Sequence, residues 1–288
     1  MTPWLRELFP HNPRPLLGMI HLLPLPGSPG WRGDLRAVIE AAQRDALALA
    51  EGGIDGIMVE NFGDAPFWPR RVPAVTIASL TRVATEIRRT APLPLGINVL
   101  RNDGEGAMAI ATAVGASLIR VNVLAGARVT DQGVLEGQAH RLLRLRRELG
   151  AQRVKILADV AVKHSAPLGE PRPLAEEIEE TAGRGGADGI ILSGSGTGRA
   201  PGGSTLEELL HNQRARNAGE PQGAIFRTPL LIGSGLTEEN APEMLAAADG
   251  AIVGSSLKVD GELLAPVDPL RVRRLVDLVK ELPLSANP

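Results

Sequence analysis

The chain has 288 residues, a formal net charge of −2 and no cysteine. A charge so close to zero, with no local basic run, argues against nucleic acid as a partner. The lack of cysteine excludes disulfides, thiol nucleophiles and thiolate metal sites, and we expect a cytoplasmic protein. No run approaches the roughly 18 apolar residues of a membrane span, and the first residues lack the basic and apolar regions of a signal peptide. Peripheral contact with a membrane stays open.

Apolar runs alternate with helix-like segments along the chain. Eight runs have the length and composition of buried strands, at residues 16–20, 56–59, 95–99, 118–121, 154–158, 189–192, 230–232 and 250–253. Residues 35–50 carry apolar side chains at helical spacing after Asp34, a predicted N-cap, and Asp268 is the predicted N-cap of a last helix over residues 270–282. Eight βα units predict an α/β fold of the closed (β/α)8 type, a TIM barrel. A doubly wound open sheet is the rival, but the first βα turn lacks its glycine fingerprint.

No linker divides the sequence. We expect one barrel domain over residues 1–288, with residues 1–13 as an N-terminal extension. The long irregular stretch at residues 210–228 is either a lid or an exposed excursion. The segments at residues 52–59 and 185–192 resemble each other, and residues 115–121 and 248–253 are looser copies of the same pattern. This internal repeat predicts that Asp55, Asp188 and Asp249 lie in turns at the bottom of the barrel, the end where the strands begin, and have no catalytic role.

Polar side chains follow nearly every predicted strand. In a (β/α)8 barrel the active site lies at the C-terminal ends of the strands, where these side chains would meet. Glu60 and Asp159 each follow an apolar run, where desolvation would raise the carboxyl pKa and suit one of them to general-base work. The candidate catalytic residues are Glu60, Asp159, Lys163, His164, His21 and Arg120, and the candidate substrate-binding residues are Asn61, Asn98 and Asn122.

Several of these residues also have a structural interpretation. His21 is equally typical of a hydrogen-bonded histidine in the core. The asparagines are also typical of loop caps, and Lys163 with His164 could neutralise a substrate anion instead of moving a proton. Asp103, which precedes a glycine, is predicted to be a helix N-cap with no further role.

Neither a metal nor a cofactor is assigned from the sequence. The carboxylates Glu60, Asp64 and Asp159 are compatible with Mg²⁺, but no close spacing between them requires it. Lys163 and Lys258 are two of only four lysines in an arginine-rich chain, and both follow predicted strands. Because a lysine can lose its proton in a protein where arginine cannot, both are candidates for chemistry.

Loops rich in glycine and serine follow the last three predicted strands. Glycine carries no Cβ and lets backbone N–H groups approach an anion closely. In TIM barrels the loops after strands seven and eight, with a short helix N-terminus, form the usual phosphate site. The predicted phosphate-binding residues are Ser193, Gly194, Ser195, Gly196 and Thr197 after the sixth strand, Gly233, Ser234 and Gly235 after the seventh, and Gly254, Ser255 and Ser256 after the eighth.

Five segments also carry a family likeness: GMIHLLPLPG at 18–27, VENFGDAPF at 59–67, GINVLRND at 96–103, IRVNV at 119–123 and DVAVKH at 159–164. They resemble the BtpA/SgcQ family, over residues from about 16 to 282. The resemblance implies a TIM barrel similar to the ribulose-phosphate-binding barrels. One member of that family is tied to photosystem I biogenesis in cyanobacteria, and SgcQ-type members accompany sugar-transport genes. No catalytic residues come with the resemblance.

Three functions fit these patterns. The first is an enzyme that acts on a small phosphorylated metabolite, a phosphosugar or a nucleotide-derived compound, with lyase, isomerase and hydrolase chemistry all open. The second is a non-enzymatic biogenesis or stability factor for a membrane complex such as photosystem I, docking through apolar residues near the N-terminus: Trp4, Leu5, Leu8 and Phe9. The third is a ligand-binding regulator, which would need the phosphate loops but not Glu60 or Asp159. A homo-oligomer is expected.

Overall fold

The computed structural model describes residues 2–160, 162, 164–194, 200, 202 and 228–283. Its strands in chain order are β1 (Leu16–His21), β2 (Gly56–Glu60), β3 (Leu95–Asn98), β4 (Leu118–Val121), β5 (Ala127–Thr130), β6 (Gly133–Glu136), β7 (Lys155–Val160), β8 (Ser165–Pro167), β9 (Gly189–Leu192), β10 (Leu230–Ile232) and β11 (Gly250–Val253). Its α-helices are α1 (Pro3–Leu8), α2 (Leu35–Glu51), α3 (Ala74–Thr90), α4 (Gly104–Val114), α5 (Ala139–Glu148), α6 (Leu174–Glu179), α7 (Ala241–Ala246) and α8 (Pro269–Glu281).

Eight parallel strands close into a barrel in the order β1, β2, β3, β4, β7, β9, β10, β11. The ring closes where β1 pairs with β11, with Leu17 opposite Ile252. The predicted TIM barrel is therefore confirmed, and the open doubly wound sheet is wrong. Each of the eight predicted strands is present and starts within one residue of its predicted position. Strands buried on both faces are almost uniformly apolar, which is why their positions are visible in the sequence.

Side chains along each strand alternate between two apolar layers, as the two-residue period of a strand requires. In β1, Leu17 and Met19 belong to the cluster inside the barrel, whereas Leu16 and Ile20 pack against the surrounding helices. The helices begin where the sequence predicts. Asp34 caps α2 by accepting hydrogen bonds from two backbone N–H groups of its first turn, and the Asp268 carboxylate caps α8 in the same way with one.

The N-terminal helix α1 packs against the interior of the barrel. Leu5 and Phe9 are 0% and 4% exposed and join the interior cluster, with Trp4 and Leu8 packed beside them. The Trp4 indole N–H donates a hydrogen bond to the carbonyl of Asp188 at 3.1 Å. These four residues were the candidate docking patch of the second function; Leu5 and Phe9 are buried in the barrel interior, and Trp4 and Leu8 are half-buried, so only part of that patch is exposed.

Three aspartates occupy equivalent positions at the N-terminal ends of the strands. They come directly before β2, β9 and β11, the second, sixth and eighth strands of the barrel. Each accepts a hydrogen bond from a backbone N–H at the start of the neighbouring strand that comes earlier in the chain. The prediction of a structural role at the bottom of the barrel is confirmed by this repeated contact. The bonds run from Leu16 N to Asp55 Oδ2 at 2.8 Å, from Ile156 N to Asp188 Oδ2 at 2.9 Å and from Leu230 N to Asp249 Oδ2 at 3.0 Å.

A small antiparallel sheet, ordered β6, β5, β8, is formed by the segments that follow β4 and β7. The sequence analysis did not predict it. Ion pairs join this sheet to its surroundings: Arg70 Nη2 lies 2.6 Å from Glu136 Oε2, and Arg128 Nη1 lies 3.2 Å from Glu177 Oε2. Because β4 and β7 run toward the same end of the barrel, the small sheet belongs to the end where a site is expected.

In the described part of the chain, none of the helices combines the length and the apolar composition that a membrane crossing requires. The stretch at residues 210–227, proposed above as a lid or an excursion, lies outside the described residues.

Candidate functional site

A cavity of about 440 Å³ opens at the C-terminal ends of the barrel strands. Its walls come from strand ends and loops around the ring, as expected of a TIM-barrel site. Of the predicted catalytic residues, four line it directly, and Asp159 lies behind one of them. The lining includes His21, Glu60, Phe62, Arg101, Arg120, Asn122, Asp131, His164, Gly233, Ser234, Gly235, Gly254 and Ser255.

His21 and Glu60 stand side by side in this cavity. The pairing of β1 with β2 places the two residues directly opposite one another. His21 Nε2 lies 3.6 Å from Glu60 Oε1, and the side chains are only 8% and 10% exposed. The edge of the Phe62 ring packs on the imidazole, with 5.0 Å between ring centroids. A carboxylate and an imidazole at this separation can exchange a proton with a ligand on the cavity side after a small approach.

Arg120 and Asp159 form a buried ion pair beneath the cavity. Arg120 donates from Nε to Asp159 Oδ2 at 2.8 Å and from Nη2 to Oδ1 at 2.7 Å. Asn122 and Ser193 add hydrogen bonds to the same carboxylate at 3.2 Å and 3.4 Å. Burial acts most strongly and lowers the pKa of Arg120, but the charge and hydrogen bonds of Asp159, together with the charge of Glu60, outweigh it and the pKa is raised. Both carboxylate oxygens of Asp159 are therefore occupied by protein donors.

The three predicted substrate-binding asparagines support the floor of the site. Only Asn122 lines the cavity. Asn98 donates from Nδ2 to the backbone carbonyl of Arg120 at 3.0 Å. Asn61 accepts a hydrogen bond from the Leu100 N–H at 2.7 Å and donates to Asp64 at 3.0 Å. Asn61 and Asn98 thus position the loops that carry the cavity residues.

The glycine and serine loops after β10 and β11 form one wall of the cavity. Gly233, Ser234 and Gly235 line it from one loop, and Gly254 and Ser255 from the next. A Cβ on Gly254 would lie 3.0 Å from His21 Cε1, so this loop touches the His21 ring. Two other predicted phosphate-binding residues form hydrogen bonds within the protein. Ser256 donates to the Leu236 carbonyl at 2.7 Å, and the Gly194 N–H donates to Ser234 Oγ at 3.2 Å.

Predicted site residues outside the described part of the chain are Lys163, Ser195, Gly196 and Thr197. His164, next to Lys163, does line the cavity, and its backbone has a left-handed φ of 54°. Lys258, the second lysine singled out, points elsewhere. It is 2% exposed, and its Nζ lies 3.2 Å from Asp45 Oδ2 on α2. We therefore assign Lys258 a structural role.

Arg101 follows the third predicted strand but was assigned no role from the sequence. It follows β3, lines the cavity and is 5% exposed. Burial lowers its pKa, against the raising effect of Asp159, Asp131 and Glu60. A guanidinium stays protonated even so, which makes Arg101 a buried cation at the mouth. Its position after a strand end was the available signal. No such signal in the sequence marked Asp131, because it lies in the turn between β5 and β6.

Within the described residues, no three His, Asp or Glu side chains come together as a metal site. Two of the three carboxylates considered for Mg²⁺ are used by the protein. Asp159 holds Arg120, and Asp64 accepts hydrogen bonds from the Leu25 N–H at 2.7 Å and from Asn61. Asp103 likewise has the expected structural role, because it caps α4 through the Gly106 N–H at 2.8 Å.

The architecture and the position of the cavity define a TIM barrel with a candidate site at the C-terminal ends of its strands. The chain belongs to the BtpA family, whose pattern matches residues 12–281. It is 49% identical to the photosystem I biogenesis protein BtpA of Synechocystis sp., over 94% of this chain and 89% of that protein. An uncharacterized protein of Thermococcus kodakarensis is 46% identical over 95% and 98%, and an uncharacterized mitochondrial protein of Caenorhabditis elegans is 32% identical over 94% and 95%.

Solved structures confirm the fold. The thiamine phosphate pyrophosphorylase of Pyrococcus furiosus superposes with a TM-score of 0.54 at 17% sequence identity, covering 94% of this chain and 98% of that one. The phosphoribosylanthranilate isomerase of the same organism superposes with a TM-score of 0.52 at 16% identity, covering 93% and 98%. At such low identity the likeness establishes the shared barrel and nothing about activity.

Proposed function

We propose that this protein is an enzyme that acts on a small phosphorylated metabolite, such as a phosphosugar or a nucleotide-derived compound. One observation carries the proposal: the loop at Gly254 and Ser255 touches His21, which in turn stands 3.6 Å from Glu60. A cavity wall suited to phosphate and a pair suited to proton transfer are therefore adjacent, within a space of about 440 Å³. That volume lies in the range of small-molecule sites.

The loops after β10 and β11 have the properties of a phosphate cradle. A Cβ on Gly233 would lie 2.3 Å from Ile191 Cγ2, and Gly235 has a φ of 75°, so both positions favour glycine. Small residues leave the backbone N–H groups accessible to the oxygens of an anion. Ser255 adds a hydroxyl on the same wall. A phosphate held here would fix one end of the ligand and leave its other end beside Glu60.

Glu60 is our candidate general base and His21 its partner in proton transfer. Of the two carboxylates predicted for this role, Asp159 is less suited because Arg120 occupies both of its oxygens. We assign Asp159 and Arg120 to positioning, since their pair fixes the floor on which the ligand would rest. Arg101 also lines the cavity, and its guanidinium would stabilise negative charge that develops on the ligand.

A second candidate function is a biogenesis factor for a membrane complex. Its support is the 49% identity to a protein named for photosystem I biogenesis. Relatives at 46% and 32% identity also occur in an archaeon and in a nematode, which favours an activity that does not require a photosystem. The residues expected to dock this chain on such a complex are packed against the barrel interior. We therefore place the enzyme first.

A paired thermal-shift panel tests the proposal. Sugar phosphates and nucleoside monophosphates are compared with the same compounds lacking phosphate. We expect stabilisation by phosphorylated compounds alone, because a ligand at 100 times its Kd adds about 2.7 kcal/mol to the free energy of unfolding. If no phosphorylated compound raises the melting temperature, the proposal fails.

The compounds that stabilise the protein are then assayed for turnover with wild type and Glu60→Gln. We expect the variant to keep binding and to lose turnover by about 10²- to 10⁴-fold, the contribution of a general base. Binding without turnover in the wild type would point to a regulator. Equal turnover in both proteins would remove Glu60 from the mechanism.

A further inference from the structure

A second cavity lies at the opposite end of the barrel from the candidate site. It has a volume of about 460 Å³ and lies between α1, the end of α3 and the turns that precede β4 and β7. It shares no lining residue with the cavity at the mouth. Whatever binds here would do so independently of the chemistry proposed above.

Three cations and one carboxylate line this second cavity, although the whole chain is slightly acidic. The cations are Arg88, Arg153 and Lys155, and the carboxylate is Glu7. Lys155 is half-buried, and neither its Nζ nor the Arg153 guanidinium has an ion-pair partner or hydrogen-bond acceptor among the described residues. Both cations are therefore available to an anion bound in the cavity, which would supply their counter-charge.

Arg88 is already held in place at the rim. It donates from Nη1 to the carbonyls of Val114, at 2.8 Å, and Gly115, at the C-terminal end of α4. A Cβ on Gly115 would lie 2.6 Å from this nitrogen, so glycine permits the approach. The remaining N–H groups of the guanidinium are fixed in position before any ligand arrives, which reduces the entropy lost on binding.

Trp4 forms an apolar wall of the same cavity. Its indole N–H is bound to the Asp188 carbonyl, which fixes the orientation of the ring. Indole faces bind planar heterocycles by stacking, and cations beside an indole bind phosphate. We propose that this cavity is a nucleotide site, with the phosphates held by Arg88, Arg153 and Lys155 and the base against Trp4. Because Trp4 is on α1, the nucleotide would join this helix to the rim of the barrel.

Fluorescence of Trp4 tests the proposal at the site itself. Replacing Trp31 and Trp68 by Phe leaves Trp4 as the single tryptophan. This variant is titrated with ATP, pyrophosphate, adenosine and vesicles containing phosphatidylglycerol. The titrations are repeated in a second variant that also carries Ser255→Asp, which blocks the cavity at the mouth of the barrel. We expect saturable quenching by ATP in both backgrounds, weaker binding of pyrophosphate and none of adenosine.

Charge reversal identifies the cations. In the same background Lys155→Glu should weaken ATP binding by about 10-fold or more, the effect of losing a charge-assisted contact. Arg44→Glu, an exposed position on α2 with the same charge change, should bind like the parent. Circular dichroism verifies that each variant is folded. The proposal is overturned if Lys155→Glu and Arg44→Glu bind ATP with equal affinity, or if adenosine binds with the same affinity as ATP. It is also overturned if only vesicles give a response, or if quenching by ATP is lost in the Ser255→Asp background.

Discussion

Arg120 and Asp159 form a two-point ion pair whose side chains are 2% and 1% exposed. The parallel pairing of β4 with β7 brings their strand ends together below the mouth. Two fixed hydrogen bonds at 2.8 Å and 2.7 Å leave the pair little freedom, and Asn122 and Ser193 hold the carboxylate from further directions. The floor of the candidate site is therefore rigid and internally charge-balanced.

Removing one partner of this pair should destabilise the protein strongly. Asp159→Ala leaves a buried guanidinium without its counter-charge, and we expect a loss of about 3–5 kcal/mol in the free energy of unfolding, measured by urea denaturation. Arg274→Ala breaks a half-exposed pair with Glu238 and should change stability little. If the two variants were equally stable, the ion pair would not be holding the floor.

Lys258 tests whether a lysine that follows a barrel strand serves structure or chemistry. Among the described residues, Lys258→Met leaves the Asp45 carboxylate with the hydrogen bond from the Val267 N–H, at 2.9 Å, as its remaining contact. We expect a loss of about 3–5 kcal/mol in stability from the unpaired buried charge. Ligand binding by the remaining folded protein should be unchanged, since Lys258 does not line the mouth. Intact stability together with lost turnover would assign Lys258 to the chemistry.

Arg101 should contribute to the site through its charge. Arg101→Gln is expected to lower kcat/KM for the phosphorylated substrate by about 10- to 100-fold, because it removes a buried charged donor from the cavity. Arg101→Lys keeps the charge, and its kcat/KM should lie between those of the wild type and Arg101→Gln. Arg70→Gln is the control, because Arg70 is an exposed arginine of a neighbouring loop. Equal kcat/KM in Arg101→Gln and Arg70→Gln would contradict this role.

Asp55, at the bottom of the barrel, should make the stability of the folded protein depend on pH. Burial raises its pKa, against hydrogen bonds from Leu16 and Asn12 and the charge of Lys280. A raised folded-state pKa means that its contribution to stability is greatest below the unfolded pKa of about 3.9 and falls as the pH rises through the folded value. Relative to Asp55→Asn, the wild type should therefore lose stability between acidic and neutral pH. Urea denaturation across that interval measures the difference, and a constant difference would contradict the assignment.

The sequence predicted the barrel well because its strands are continuous apolar runs, and it predicted the role of Asp55, Asp188 and Asp249 because the same turn is repeated. It did not reveal the sheet of β5, β6 and β8. These strands have three or four residues, and Leu135 is the single fully buried residue of β5 and β6, so no alternation is visible.

The candidate site was predictable by position but not by contact. Strand ends identified His21, Glu60 and Arg120 as neighbours of one cavity. Which oxygens of Asp159 are occupied, and which face of α1 is buried, depend on contacts between residues far apart in sequence. The position of Arg101 after a strand was visible in the sequence, but its burial in the cavity wall was not.

Calorimetric titration of Ser255→Asp tests whether the loops after β10 and β11 hold the phosphate of a ligand. A carboxylate beside the cradle should repel phosphate and weaken binding of a stabilising phosphosugar by at least about 10-fold. Ala113→Asp, which adds the same charge on the exposed surface of α4, should bind like the wild type. Wild-type affinity in Ser255→Asp would contradict the account.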